Sequence, residues 1–292
     1  MYRPFLLLFA AMVCLAIPML EVAPTRATEP VGNDPDDPAI WRNARYPRRS
    51  LILGTNKVAA PDGALLIFGL DGKVRQTVGG IDRPNNVDVE YGFLVDGHRV
   101  DIAVVTERLK NRLRVFEVNA GGVRELGTVD CCPEPMGVSL YKRPRDGAVF
   151  AIVTPKGRPE SPVQDYLYQY ELRMKNGEFT ASLARRFGQF SGSKEIEAVV
   201  VDDALGFVYY SDEGTGIRKY HADPSHPQAA TELALFATEG FEGDREGLAV
   251  FASGKSTGYL IATDQRPGNS VYHVFDRQTN RPLFQFRGGA DS

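Results

Sequence analysis

The chain has 292 residues, a formal net charge of −3, and 43% hydrophobic and 24% charged residues. These proportions suit a globular protein with its own core and exclude wholesale disorder. The mildly acidic balance excludes a basic nucleic-acid binder, so a polyanionic ligand would have to be met by a local cationic cluster or by metal ions.

The first element is a leader. Arg3 precedes an apolar run over Phe5–Leu20, and Thr25-Arg26-Ala27 places small residues where a signal peptidase cuts. The run is shorter than the roughly 20 residues that span a bilayer, and Pro18 interrupts it. The pattern predicts a secretory signal peptide over residues 1–27, cleaved after Ala27, and an exported mature domain over 28–292, periplasmic or secreted and away from the membrane. Cys131 and Cys132 then remain. Neighbouring cysteines close only a strained ring, so two thiols are expected. His98, His221, His226 and His273 are scattered, without the spacing of a zinc site.

From residue 37 onward one unit recurs. Each unit opens on a short strand, with Asp37, Asn86, Met136, Glu197 and Glu246 as the first residues. A second strand follows and ends in Ser or Thr, at Thr55, Thr106, Thr154, Ser211 and Thr263. A third strand comes next (Ala64–Phe68, Leu113–Val118, Tyr166–Tyr170, Ile217–Tyr220, Val271–Phe275), and Arg75–Val78 and Leu283–Phe286 are examples of an outer fourth. Four strands in roughly 50 residues is the unit of a β-propeller. The chain is therefore read as all-β, with about five blades present.

A propeller brings equivalent positions into one ring. The strand openers line the central channel, and three of them, Asp37, Glu197 and Glu246, are carboxylates, with Asp36 and Asp244 beside them. Clustered acids repel one another unless cations neutralise them. Oxygen ligands without Cys or His favour Ca²⁺ over zinc. The residues after the repeated Ser/Thr form a second ring of Lys57, Arg108, Lys156, Glu213 and Gln265. Cations beside metal-binding acids make a phosphate site.

Asp36-Asp37-Pro38-Ala39-Ile40-Trp41, Gly54-Thr55-Asn56-Lys57, Asn85-Asn86-Val87-Asp88-Val89, Ser211-Asp212-Glu213 and Glu246-Gly247-Leu248 together resemble the β-propeller phytases, calcium-dependent myo-inositol-hexakisphosphate phosphohydrolases. The likeness runs from about Asp34 to the last residue. It implies a six-bladed propeller with several Ca²⁺ ions, and 3-phytase-like hydrolysis of phytate and related inositol phosphates by a metal-activated water. Carried onto matching positions, Lys57, Arg108, Lys156, Glu197 and Glu213 would be catalytic. Lys57, Arg108 and Lys156 would bind phosphate, with Arg158 as an added ligand. Asp36, Asp37, Glu197, Glu213, Asp244, Glu246 and Gln265 would hold calcium. The partner would be a small phosphate ester, and the protein a monomer.

The sequence departs from the family in places. Met136 stands where the family has Tyr, Gly157-Arg158 follow Lys156 where an acid is usual, and Glu197 lies in Ile-Glu-Ala. A sixth unit would begin near the last residue, so about 50 residues, one repeat unit, are expected to be absent, leaving Trp41 and Phe251 poorly covered. The competing readings are a non-catalytic propeller that binds phosphate ligands, an inactive fragment, and a propeller lactonase.

Overall fold

The computed structural model describes residues 17–289; residues 1–16 of the expected signal peptide and residues 290–292 lie outside the described residues. Strand β1 (Met19–Glu21) comes first. Blade 1 follows as β2 (Pro35–Trp41), β3 (Leu51–Asn56), β4 (Ala64–Gly69) and β5 (Val74–Gly79). Blade 2 is β6 (Pro84–Val95), β7 (His98–Glu107), β8 (Arg112–Asn119) and β9 (Gly122–Asp130). Blade 3 is β10 (Pro135–Lys142), β11 (Val149–Pro155), β12 (Gln164–Lys175) and β13 (Glu178–Gln189). Blade 4 is β14 (Val199–Asp202), β15 (Phe207–Asp212), β16 (Gly216–His221) and β17 (Ala234–Phe236). Blade 5 is β18 (Asp244–Ala252), β19 (Gly258–Gln265), β20 (Val271–Asp276) and β21 (Pro282–Arg287). The four strands of each blade form an antiparallel meander in sequence order. The expected units are thus propeller blades. β1 adds to blade 5 in parallel, Met19 opposite Gln285, so part of the expected leader sits on that blade's outer edge.

The blades stack through apolar faces. Leu53, Ile67, Val87 and Phe116 join blades 1 and 2, and Val104, Leu140 and Val153 join blades 2 and 3. Phe150, Phe187, Val208 and Tyr220 join blades 3 and 4; Tyr209, Ile217, Leu260 and Phe275 join blades 4 and 5. β11 is buried along its whole length, as a strand covered on both faces must be. The expectation for Trp41 fails. It is buried at 5% exposure among the residues shared by blades 1 and 2, and its Nε1 donates to Asp101 at 2.8 Å. Strand alternation turns Ile40, 64% exposed, outward instead. Phe251 is exposed, as expected, and stacks on Tyr259 of its own blade.

The repeated Ser/Thr has a structural reason. The inner strands of blades 1, 2, 3 and 5 each slip register near their start, between Pro35 and Pro38, Pro84 and Val87, Pro135 and Val138, and Arg245 and Leu248. Such a bulge takes an N–H out of the ladder and re-aims the side chains around it. The hydroxyl of the next strand accepts the freed N–H: Asp37 to Thr55 at 3.1 Å, Asn86 to Thr106 at 3.0 Å, Gly137 to Thr154 at 2.8 Å. Two of these hydroxyls then donate to the following blade, Thr55 to the Asn85 carbonyl at 2.7 Å and Thr106 to that of Met136 at 2.8 Å. Thr55 and Thr106 therefore each fasten one bulge and the next blade. Thr106→Val should leave a buried donor and acceptor unpaired and cost about 1–3 kcal/mol, read as a lower urea midpoint at unchanged slope.

Candidate active site

The bulges gather the strand openers at one end of the channel. Gly137 is required there, because a Cβ at this position would lie 1.9 Å from the Glu197 carbonyl oxygen. Glu197 itself precedes β14 rather than opening it. Its carboxylate accepts from Asn85 Nδ2 of blade 2, across the ring. Met136, 2% exposed, lines the same cleft without a polar atom to offer.

Glu197, Glu213 and Glu246 converge, each with an oxygen within 4.8 Å of the others. Burial pushes Glu213 up to about 8, helped by Glu246, Asp244 and Glu197. Burial and then Glu197 push Glu246 up to about 7. Asp36 rises to about 6 through burial and Glu197, against the pull of Lys57. Asp37 is raised as well, chiefly by burial; its Oδ2 accepts from the Val87 N–H at 2.9 Å. Desolvated acids facing one another lower their energy by sharing a proton or a cation. The set is all oxygen, without Cys or His, which fits a hard cation such as Ca²⁺.

The expected cations surround these acids. Lys57 pairs with Asp36 and lies 3.7 Å from Glu197. Burial lowers its pKa, but Glu197 and Asp36 outweigh this and hold it above the ordinary value. Arg108 is buried at 7% exposure and donates to Asn85 Oδ1 at 3.2 Å. Lys156 pairs with Glu195. Lys57, Arg108, Lys156, Glu197, Glu213, Asp244, Glu246 and Gln265 all line one open cleft. Asp36 and Asp37 line the adjoining hollow, which also reaches Glu197 and Glu246.

Arg158 stands apart. It is half exposed, pairs with Glu134, and lines a side groove reached past Lys156. Three cleft residues lay outside the sequence-based expectation: Glu195, Lys194, which pairs with Asp244, and Arg83. Arg83 alone carried a hint, since it immediately precedes an inner strand.

A profile of the family described as Phytase matches residues 8–287. The chain is 30% identical to a 3-phytase of Bacillus subtilis (strain 168) over 273 residues, covering 89% of this chain and 67% of that protein. Its fold is similar to the crystal structure of a functionally unknown protein from Desulfotomaculum acetoxidans DSM 771, at a TM-score of 0.54 and 13% identity, over 85% of this chain and 70% of that one. That last likeness speaks to fold alone.

Proposed function

The chain belongs to the phytase family, and from that premise we propose that it is a calcium-dependent phosphomonoesterase acting on inositol hexakisphosphate and related inositol phosphates. The observation that carries this reading is the meeting of Glu197, Glu213 and Glu246 with Lys57, Arg108 and Lys156 in one cleft. Glu197, Glu213 and Glu246 would hold Ca²⁺, with Asp36, Asp37, Asp244 and Gln265 in support. Bound calcium would supply Lewis-acid polarisation of the phosphoryl group and a water of lowered pKa. The chain's own part is to place the ester and stabilise charge. Lys57 and Lys156 offer point charges to phosphate oxygens, and Arg108 offers a two-pronged donor. No Ser, Thr, Cys or His lines the cleft among the described residues, which suits direct attack by water rather than a covalent enzyme intermediate. Export of a monomeric protein by its leader belongs to the same proposal.

Two observations favour the second reading, a phosphate-binding propeller without turnover: Met136 brings no polar group to the cleft, and Arg158 in the side groove is engaged with Glu134. Phosphate release from inositol hexakisphosphate separates the two. Lys57→Ala, Arg108→Ala and Lys156→Ala should each weaken inorganic phosphate binding about tenfold, as loss of a charge-assisted hydrogen bond requires, with little change in melting temperature. Three variants that bind as the parent does would move the site elsewhere.

The raised acids set a pH dependence. A carboxyl group with a folded pKa above its unfolded value stabilises the fold at low pH, and that contribution disappears as pH rises through the folded pKa. For Glu246 and Glu213 the loss spans about pH 5 to 8. The metal-free protein should therefore melt at lower temperature at pH 9 than at pH 6. Added Ca²⁺ should raise the melting temperature far more at pH 9, where the acids are ionised. Equal shifts at both pH values would contradict this.

A further inference from the structure

The turn between β2 and β3 concentrates positive charge. Residues 42–49 read Arg-Asn-Ala-Arg-Tyr-Pro-Arg-Arg, four arginines without an acid. Arg42, Arg45, Arg48 and Arg49 are all exposed, and none forms an ion pair or a side-chain hydrogen bond among the described residues. The arginines of the β10–β11 turn differ, since Asp146 and Asp223 hold Arg143 and Arg145. Uncharged groups fix the backbone of the arginine turn. Asn43 Oδ1 accepts from the Arg45 and Tyr46 N–H groups at 3.1 and 2.9 Å. The buried Ser50 hydroxyl accepts from the Asn43 N–H at 3.0 Å and donates to the Pro47 carbonyl at 2.7 Å. The Arg42 N–H donates to the Tyr91 hydroxyl at 2.8 Å. Four guanidiniums are thus held in place and left for a partner.

The turn sits at the end of the propeller opposite the cleft. β2 begins beside Asp36 and Asp37 and runs away from them, so its far end lies on the order of 15–20 Å off at roughly 3.3 Å per residue. Exposed apolar side chains share that end: Tyr46 in the turn, Leu70 just after β4 and Leu94 near the end of β6. β1 runs parallel to β21 and so enters the fold from the same end, with Ile17, Met19 and Leu20 exposed. Like charges at this density repel one another, and a negative partner relieves that. A nucleic-acid strand would want free aromatic faces for its bases. Here Arg45 and Arg49 already lie over the Tyr46 ring, 5.2 and 5.4 Å from its centroid, and Leu70 and Leu94 are aliphatic. Cations and aliphatic groups gathered at one end fit the surface of an anionic bilayer.

We propose that the β2–β3 turn is a docking surface for an anionic phospholipid membrane, which the propeller meets with its far end while the cleft stays open to water. The four guanidiniums meet headgroup phosphates, and the amphipathic Tyr46 ring lies at headgroup depth. The expectation of a mature domain away from the membrane rested on the leader; this turn lies beyond the leader and revises it. Each arginine near such a surface contributes about fivefold in affinity, and the attraction weakens as salt screens it. The docking does not depend on what the cleft does.

Co-sedimentation of the full chain with vesicles tests this, comparing equimolar phosphatidylglycerol and phosphatidylcholine with phosphatidylcholine alone. The parent should bind the anionic vesicles about a hundredfold more tightly at low salt, and the preference should shrink as sodium chloride is added. Arg42→Gln, Arg45→Gln, Arg48→Gln and Arg49→Gln combined should erase the preference at an unchanged melting temperature, since these side chains are exposed and unpaired. Tyr46→Ser should weaken binding to the anionic vesicles about threefold. Equal binding of the parent to both vesicles, or a preference that survives in the combined variant, overturns the proposal and leaves the apolar leader as what holds the lipid. Arginine-dependent capture by an oligothymidylate as tight as by the anionic vesicles would overturn it too, and make the turn a nucleic-acid site.

Discussion

Glu213→Gln is expected to change stability and activity in opposite directions. In the metal-free protein at pH 9 the parent carries Glu213 ionised, although burial and the facing Glu246, Asp244 and Glu197 hold its pKa near 8. Glutamine removes that charge and keeps the shape. The variant should be more stable than the parent there by on the order of a few kcal/mol. The gain should vanish near pH 5, where the parent's carboxyl is already protonated. Activity should move the other way. A neutral amide is a poorer ligand for a hard cation than a carboxylate, so calcium affinity should fall and phytate hydrolysis drop about a hundredfold or more. Stability gained where function is lost marks a site whose strain serves binding. Urea titration and phosphate release on one preparation check both halves. A variant less stable than the parent at pH 9, or as active, would show that Glu213 is an ordinary structural acid.

The second large effect lies far from the cleft. Asp202 ends β14 in blade 4, and Arg277 follows β20 in blade 5. Both are 2% exposed, and the guanidinium grips the carboxylate with two bonds of 2.5 Å, Nε to Oδ2 and NH2 to Oδ1. Arg277 NH1 also donates to the Gly254 and Thr257 carbonyls, at 2.9 and 3.1 Å. One side chain thus fastens blade 5 to blade 4 and closes the β18–β19 turn. Arg277→Met should leave the buried Asp202 side chain without its cationic partner, with the Leu205 N–H still donating to it at 3.1 Å, at a cost of about 3–5 kcal/mol. Asp202→Asn together with Arg277→Met should recover part of that loss, because the orphaned charge is then gone. Denaturant titration of the single and double variants measures this. A cost under about 1 kcal/mol for Arg277→Met would place the pair among weak surface bridges.

The propeller was legible because its unit repeats. Ser or Thr at 55, 106, 154, 211 and 263 marked the second strand of each blade, and the strand openers followed by symmetry. The reason for the hydroxyl was not legible. It needs both the bulge at Asp37 or Asn86 and the carbonyl of the next blade, roughly 30 residues away. Symmetry also brought Lys57, Arg108, Lys156, Glu197, Glu213 and Glu246 to one face, where they share a cleft.

It could not reach residues outside the repeat. Lys194 and Glu195 lie in the irregular stretch between β13 and β14, and reach the cleft by pairing with Asp244 and Lys156. Arg158 follows Lys156 closely in sequence, but the chain turns it toward Glu134. Trp41 departs from its expectation for a different reason. An inner strand has apolar neighbours available on either face, and alternation alone does not say which blade each face meets. Asp202 and Arg277 carried no signal, since each alone reads as a solvated charge.

If the acids and cations of this cleft make a calcium-dependent phosphomonoesterase, activity must follow the metal. The direct measurement is phosphate release from inositol hexakisphosphate by the purified chain, across a calcium titration, with EGTA added and then overcome by excess Ca²⁺. Release should saturate with calcium, stop with EGTA and return with excess metal. Release indifferent to EGTA, or no release at any calcium concentration from a protein that melts cooperatively, would contradict it.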